Sequence, residues 1–388
     1  MKRLLHTLLL PAALFAWSAS AQAQDAQTQG ITDTEVKVGA FGPFGGPAYL
    51  FGKIAMNGIE VVFDKVNAEG GINGRKLVLI REDDSCRAEG AIAAVKKLVY
   101  DEKVFALIGG ACSNSTLAAR AEIEKAGVPF ILNSATSDAI TTPVARNIFT
   151  SQITASVESR AQVDFAIARG AKKIAVVAMK DAWGMSRYTP LMKYLDEKGI
   201  KLVANLELSP DASDATPQAL QLKAAGADAV ILLLYPKPAA IMVRDATKLA
   251  FDPIWIGQST INDLKAFNAQ VGMPGALKNF ASITSTKFDP SDPAIAAWND
   301  RLKARFPNDE ISPFNMYGLG SAQVFVEALK LAGRDLTRDK FLAALGQLKN
   351  FKSDAYFGPI TCNAPTDHQC NRTPGWFAWK DDKLVTLD

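Results

Sequence analysis

The sequence predicts an α/β protein made of two doubly wound lobes, in which parallel sheets are covered by helices. Three observations lead there. From residue 36 to residue 234, apolar runs of strand length alternate with amphipathic stretches of helical length. Several of those stretches run into a glycine placed as a C-cap, at Glu69-Gly70-Gly71, Ala126-Gly127, Arg169-Gly170, Lys198-Gly199 and Ala225-Gly226. The alternation then restarts near Ile174, after the polar stretch Thr150–Glu158, and this favours two sheets over one large one.

The elements follow in order. Val36–Ala40 is a Val-rich run and the first expected strand, with the amphipathic stretch Phe51–Asn67 behind it. Leu77–Ile80, Val104–Ile108 and Pro129–Leu132 are further apolar runs, as strands buried on both faces require. The helices between and after them are expected over Ala88–Tyr100, Ser115–Ala126 and Val157–Arg169. In the second series the strands are Ile174–Met179, Leu202–Leu206 and Ala229–Leu234, alternating with helices Met185–Lys198 and Thr216–Ala224. No self-similar period accompanies this repeat of order.

The 388 residues suffice for two domains, and 48% apolar with 21% charged residues is a globular composition. The amino terminus has basic Lys2 and Arg3, an apolar centre, and the small-x-small pattern Ala21-Gln22-Ala23. That is a secretory signal peptide over residues 1–23, so the mature chain is expected to begin near Gln24 and to be exported. No later segment approaches the ~20 apolar residues of a membrane span, and no cysteine near Ala23 offers a lipid anchor. Losing Lys2 and Arg3 takes the net charge from +3 to +1, which excludes a nucleic-acid footprint.

All four cysteines, Cys86, Cys112, Cys362 and Cys370, lie in the exported part, where an even count points to disulfides. Of the three connectivities, Cys86–Cys112 with Cys362–Cys370 is the most local. No CxxC pair exists and His368 is the only histidine after cleavage, so neither a metal site nor a serine nucleophile with its base is well supplied. The glycines after the first strand, Gly39, Gly42, Gly45 and Gly46, are interrupted by Pro43 and Pro47 and form no dinucleotide fingerprint. No cofactor is expected.

Two hydroxyl-rich loops are the informative feature. Ser113-Asn114-Ser115-Thr116 follows one expected strand, and Asn133-Ser134-Ala135-Thr136 follows the next. In doubly wound sheets ligands bind beyond the carboxyl ends of the strands. Loops there that open into helices present free N–H groups and a positive dipole end, which suits a carboxylate. The plain alternative is N-capping by Ser113 and Ser115, worth ~1 kcal/mol each.

At this point the chain resembles the substrate-binding proteins of the branched-chain (hydrophobic) amino-acid class of ABC importers. The similarity runs through nearly the whole mature chain: KVGAFGPFGG, Val66-Asn67 with Gly70-Gly71-Ile72-Asn73-Gly74, Asp83-Asp84-Ser85-Cys86, IGGACSNSTLAA, GVPFILNSATS, KDAWG and the C-terminal GPITC. The resemblance implies a type I periplasmic binding protein fold, two lobes joined by a three-strand hinge and closing over a ligand. Because the chain crosses three times, the lobes are expected at 24–152 with 282–352 and at 153–281 with 353–388. Cys86 and Cys112 match the family's disulfide in the first lobe.

The same resemblance assigns site residues. Ser113 and Thr136 would hold the ligand carboxylate with N–H and hydroxyl groups, without a buried cation. Ala135 lies in the same loop, and the Ser134 carbonyl would face an ammonium. The acid that amino-acid binders add from the second lobe falls where this chain has Gln258, Ser259 and Thr260. A second acidic position reads Ser151-Gln152-Ile153-Thr154-Ala155, leaving Asp181 as a candidate only if its loop turns inward. Phe51, Trp183 and Tyr235 match cleft-wall positions, with Phe44 and Tyr49 in the first loop. An ammonium closed into a cleft without an anion suffers several kcal/mol, so a hydrophobic, aromatic carboxylate without an amine is the expected ligand. A branched-chain amino acid is the alternative ligand, and a sensory ligand-binding module is the alternative role. The expected product is a monomeric periplasmic carrier, not an enzyme, that delivers its ligand to membrane permease subunits.

Overall fold

The computed structural model describes residues 26–387. The signal peptide expected over residues 1–23 lies outside them. Among the described residues, one sheet contains β1 (Glu35–Gly42), β2 (Lys76–Asp83), β3 (Ala106–Gly109), β4 (Phe130–Leu132) and β5 (Ile148–Thr150), in the order β2-β1-β3-β4-β5. Every pairing in it is parallel. The other sheet contains β6 (Ile174–Ala178), β7 (Ala204–Glu207), β8 (Ala229–Leu233), β9 (Ile254–Gly257), β10 (Phe280–Thr284), β11 (Gly375–Lys380) and β12 (Lys383–Leu387). Its order is β12-β11-β10-β9-β8-β6-β7, parallel from β7 to β10 with an antiparallel hairpin at the edge. Each lobe thus places its first strand between its second and third, which makes the switch point where doubly wound sheets bind ligands.

Both faces of both sheets are apolar, which is why the strands read as continuous hydrophobic runs. On one face of the first sheet, Val38, Ile108 and Ile131 pack with Phe325, Phe341 and Leu345 from helices far along the chain; the other face holds Phe41, Leu107 and Phe130. The helices Ala55–Ala68 and Pro313–Ala332 cross closely through two glycines. A Cβ on Gly58 would lie 2.0 Å from the Asn315 carbonyl oxygen, and one on Gly318 1.8 Å from that of Ala55. Only hydrogen fits at either position.

The expected strands and helices are present, with shifted ends. Helices Ser113–Ala126, Ala155–Ala168 and Ala182–Glu197 begin two or three residues before the expected Ser115, Val157 and Met185. Everything after residue 234 was unassigned from sequence, including β9 to β12 and the helices Pro236–Lys248, Leu264–Val271, Pro293–Arg305, Pro313–Ala332 and Arg338–Gly346. The last chain crossing also falls later than the expected position between 352 and 353. Ala355, Tyr356, Ile360, Cys362 and Cys370 belong to the core of the first lobe, so residues 355–370 pack there before β11 enters the second sheet. No helix among the described residues is long and apolar enough to cross a membrane.

Where the lobes join, the crossing segments are tied together by buried polar groups. Ser285 donates to Gln152 Oε1 at 2.5 Å, Gln152 Nε2 donates to the Tyr356 hydroxyl at 3.2 Å, and Tyr356 donates to Ser151 Oγ at 2.8 Å. The Ser151 and Ser321 hydroxyls are 2.7 Å apart. Burial holds the Tyr356 phenol above its ordinary pKa, at about 12, so it remains a neutral donor in this network.

Candidate functional site

Strand register brings the predicted loops together. Gly109 lies opposite Leu132, so the loops after β3 and β4 leave the first sheet side by side. Ala178 lies opposite Leu233, which does the same for the loops carrying Trp183 and Tyr235. The two sets face each other across a cleft of about 680 Å³ whose walls include Phe51, Ser113, Ser134, Thr136, Trp183, Tyr235 and Ser259. Ala135 is the exception among the expected positions: it is turned into the core of the first lobe, and its N–H donates to the Gly110 carbonyl at 2.9 Å.

Ser113 is the first residue of its helix and not the cap. The N-cap is Cys112, in extended conformation, with no side-chain capping bond. The plain capping role expected for Ser113 and Ser115 is therefore absent. The Thr116 N–H is the first to find an intrahelical acceptor, the Cys112 carbonyl, so those of Ser113, Asn114 and Ser115 remain at the open helix end. The Ser115 hydroxyl donates to Asp84 Oδ2 at 3.0 Å, and Asp84 Oδ1 accepts the Cys86 N–H at 2.9 Å. Fully buried Asp84 thereby anchors both ends of the Cys86–Cys112 disulfide, whose Cα atoms are 5.5 Å apart. Burial raises its pKa against the pull of those donors. The second pair, Cys362–Cys370, is also bridged, at a Cα separation of 4.3 Å.

The cleft wall contains a cation that sequence reasoning missed. Arg187, 1% exposed, lines the cleft, and its Nη2 donates to the Thr136 hydroxyl. This corrects the expectation of a carboxylate cradle without a buried cation. Its guanidinium carbon lies 4.1 Å from the Trp183 ring centroid, a cation–π contact within the second lobe. Behind it is Glu158, fully buried in the helix Ala155–Ala168, with Oε2 3.3 Å from Arg187 Nε and Oε1 accepting the Ser259 hydroxyl. Burial pushes the Glu158 pKa up and the Arg187 pKa down, and each partner's charge pulls the other back. The acid expected and not found at 151–155 or 258–260 thus has a counterpart three residues further on, shielded from the cleft. Trp183 and Arg187 are one helical turn apart, so the i,i+4 spacing after Asp181-Ala182-Trp183-Gly184 was the available signal for the arginine. Glu158 carried none that distinguishes it from a solvent-facing acid.

The aromatic walls are paired. Trp183 and Tyr235 have ring centroids 4.5 Å apart, and Phe51 meets Phe314 edge-on at 4.9 Å. Tyr235 donates to Asp181 Oδ2 at 3.3 Å, while Asp181 Oδ1 caps Gly184, so the Asp181 carboxylate is engaged by its own lobe and absent from the cleft wall. Burial, and secondly the charge of Asp181, raises the Tyr235 pKa far above the ordinary phenol value. Ser134 donates its hydroxyl to the Phe51 carbonyl at 3.1 Å, fixing one wall against the cradle loop. Of the other first-loop aromatics, Tyr49 lines the cleft and Phe44 packs on the first core.

Comparison with known proteins agrees with this architecture. The chain is 26% identical over 367 residues to a Leu/Ile/Val-binding protein homolog 7 of Brucella abortus, covering 91% of each. It is 29% identical over 273 residues to a leucine-, isoleucine-, valine-, threonine- and alanine-binding protein of Pseudomonas aeruginosa, covering 67% of this chain and 73% of that one. Among solved structures, a fatty acid ABC transporter substrate-binding protein of Thermomonospora curvata superposes with a TM-score of 0.78 at 19% identity over 93% of both chains. The isoleucine complex of a branched-chain amino acid transporter substrate-binding protein from Streptococcus pneumoniae superposes at 0.76, with 23% identity over 91% of this chain and all of that one. A family model described as periplasmic binding protein matches residues 35–383. With that span and this two-lobed cleft, the chain belongs to the periplasmic binding protein family.

Proposed function

We propose that this protein is the periplasmic, monomeric solute-binding component of an ABC importer, not an enzyme. Its ligand is a small hydrophobic carboxylate, aromatic in character and without an amine, which it delivers to membrane permease subunits as the lobes close. One observation carries the ligand class: the cleft wall presents Arg187, and the acid Glu158 lies behind it. A guanidinium gives a carboxylate a charge-assisted hydrogen bond, to which Ser113, Thr136 and the open helix end add neutral donors. An ammonium in the same place meets like charge, and the anion that would compensate it is already paired. The Trp183–Tyr235 and Phe51–Phe314 pairs suit a flat apolar body between the lobes.

The relatives named for leucine, isoleucine and valine supply the competing ligand. Calorimetry of the mature protein with 3-phenylpropionate, benzoate, leucine and phenylalanine decides between them. The carboxylates are expected to bind at least ~100-fold more tightly than the amino acids, a gap of about 2.7 kcal/mol. Micromolar binding of leucine, isoleucine or valine with the aromatic acids silent would replace this ligand class by the branched-chain one.

A further inference from the structure

Glu158 stands behind the cleft wall, fully buried and not among the residues that line the cleft. Its carboxylate is fully buried between the Ser259 hydroxyl and Arg187 Nε, and Oε2 makes no aligned hydrogen bond. The Arg187 guanidinium lines the cleft in front of that carboxylate, in contact with the Trp183 ring and the Thr136 hydroxyl. Asp138 adds negative charge to the same region, and it is held by the Ser156 N–H at 2.9 Å and the Ser156 hydroxyl at 2.7 Å.

We propose that Arg187 determines ligand charge by masking Glu158, so that this one position decides whether the cleft takes a carboxylate or a small aryl or alkyl cation. The proposal deepens the carboxylate reading and rests on it for the wild-type preference. Shortening Arg187 to an uncharged side chain removes the cation and vacates the space between the cleft and the acid. A buried acid without a partner is costly to keep ionised. It recovers that cost when a cation enters beside it, so the vacated space becomes a site for an ammonium or guanidinium group.

The test uses the mature protein, its R187M variant and the R187M/E158Q double variant, with 3-phenylpropionate, 2-phenylethylamine and ethylguanidinium as probes in calorimetry and thermal melts. R187M is expected to bind 3-phenylpropionate at least ~100-fold more weakly than wild type. It is also expected to gain 2-phenylethylamine binding in the millimolar range or tighter, with a raised melting temperature. The double variant should respond to neither cation. If R187M does not fold alone, refolding with ethylguanidinium should rescue it, while the double variant folds without help, since a buried pair replaced on both sides leaves no orphan charge. A folded R187M that ignores both cations, or a cation effect equal in the double variant, overturns the proposal. So does an R187M that fails to refold with ethylguanidinium. The cation arm does not depend on what the wild type binds. A wild type that ignores 3-phenylpropionate and binds leucine would therefore sink the carboxylate reading separately.

Discussion

Tyr317 donates its hydroxyl to the carbonyl of Ser259 at 3.2 Å, joining a helix of the first lobe to the loop after β9 in the second. The Asn262 amide donates to the same phenol, and the Tyr317 carbonyl accepts the Ser321 hydroxyl at 2.9 Å. Ser321 in turn meets Ser151 and Tyr356, so the loop after β9 and the hinge share one hydrogen-bonded path. Burial, and secondly the charge of Glu158, drives the Tyr317 pKa far above the ordinary phenol value, so the donor is permanent.

Replacing Tyr317 with phenylalanine removes that bond and leaves the Ser259 carbonyl and the Asn262 amide short of a partner. A buried group left unsatisfied costs about 1–3 kcal/mol. Y317F should melt lower and bind every ligand of the protein more weakly by a similar factor, because the bond joins the lobes and does not read the ligand. Unchanged melting and affinity in differential scanning and isothermal calorimetry would make the contact dispensable.

Ser113 and Thr136 should respond differently to alanine. Ser113 lines the cleft and its hydroxyl is bonded to none of the described residues, so S113A is expected to weaken a carboxylate tenfold to a hundredfold, about 1.5–3 kcal/mol, at unchanged melting temperature. Thr136 also accepts from Arg187, so T136A should lose both affinity and stability. Equal affinities for both variants and wild type would remove these side chains from ligand recognition.

The two disulfides predict a simple chemical result. No free cysteine exists among the described residues, so denatured, unreduced protein should give no thiol titre. Removing Cys362 and Cys370 together should cost roughly 2–4 kcal/mol in denaturant unfolding. Two free thiols per chain would contradict the pairing.

Acid should weaken the protein through His368. The ring is buried, stacked on Phe149 at 3.8 Å, and its Nδ1 is 3.0 Å from the Ile148 carbonyl oxygen. Burial lowers its pKa from the ordinary 6.5, with backbone hydrogen bonds opposing. The folded state therefore binds the proton less readily than the unfolded chain. The histidine's contribution is complete above about pH 6.5 and is lost as pH falls from there through the lower folded value. Urea midpoints measured from pH 7.5 to pH 5 should fall in wild type, and less steeply in H368F. Parallel profiles would assign the acid sensitivity to other groups.

Much of this molecule was legible as sequence because strands buried on both faces are written in runs of Val, Ile and Leu. β1, β6 and β8 were visible for that reason, and the polar loops after β3 and β4 stood out against them. β5 is three residues long, too short to carry a period. The helix Pro313–Ala332 is buried around most of its circumference, so no amphipathic face announces it. Glu158 and Arg187 were missed on other grounds. Each occupies a helix that reads as half solvated, where a charge ordinarily faces water, and only the packing of those two helices makes them partners. Ser113 and Thr136 were found because strand ends predict loop positions, whereas nothing local encodes which side chains meet across a cleft.

The hinge constrains how the lobes move. Gln152 and Ser285 lie at two chain crossings and Tyr356 in the first-lobe segment beside them, and the Gln152 amide is hydrogen-bonded to both. A displacement that separates these residues leaves buried polar groups unsatisfied, at about 1–3 kcal/mol each, so the junction resists any movement that does not keep all of them in register.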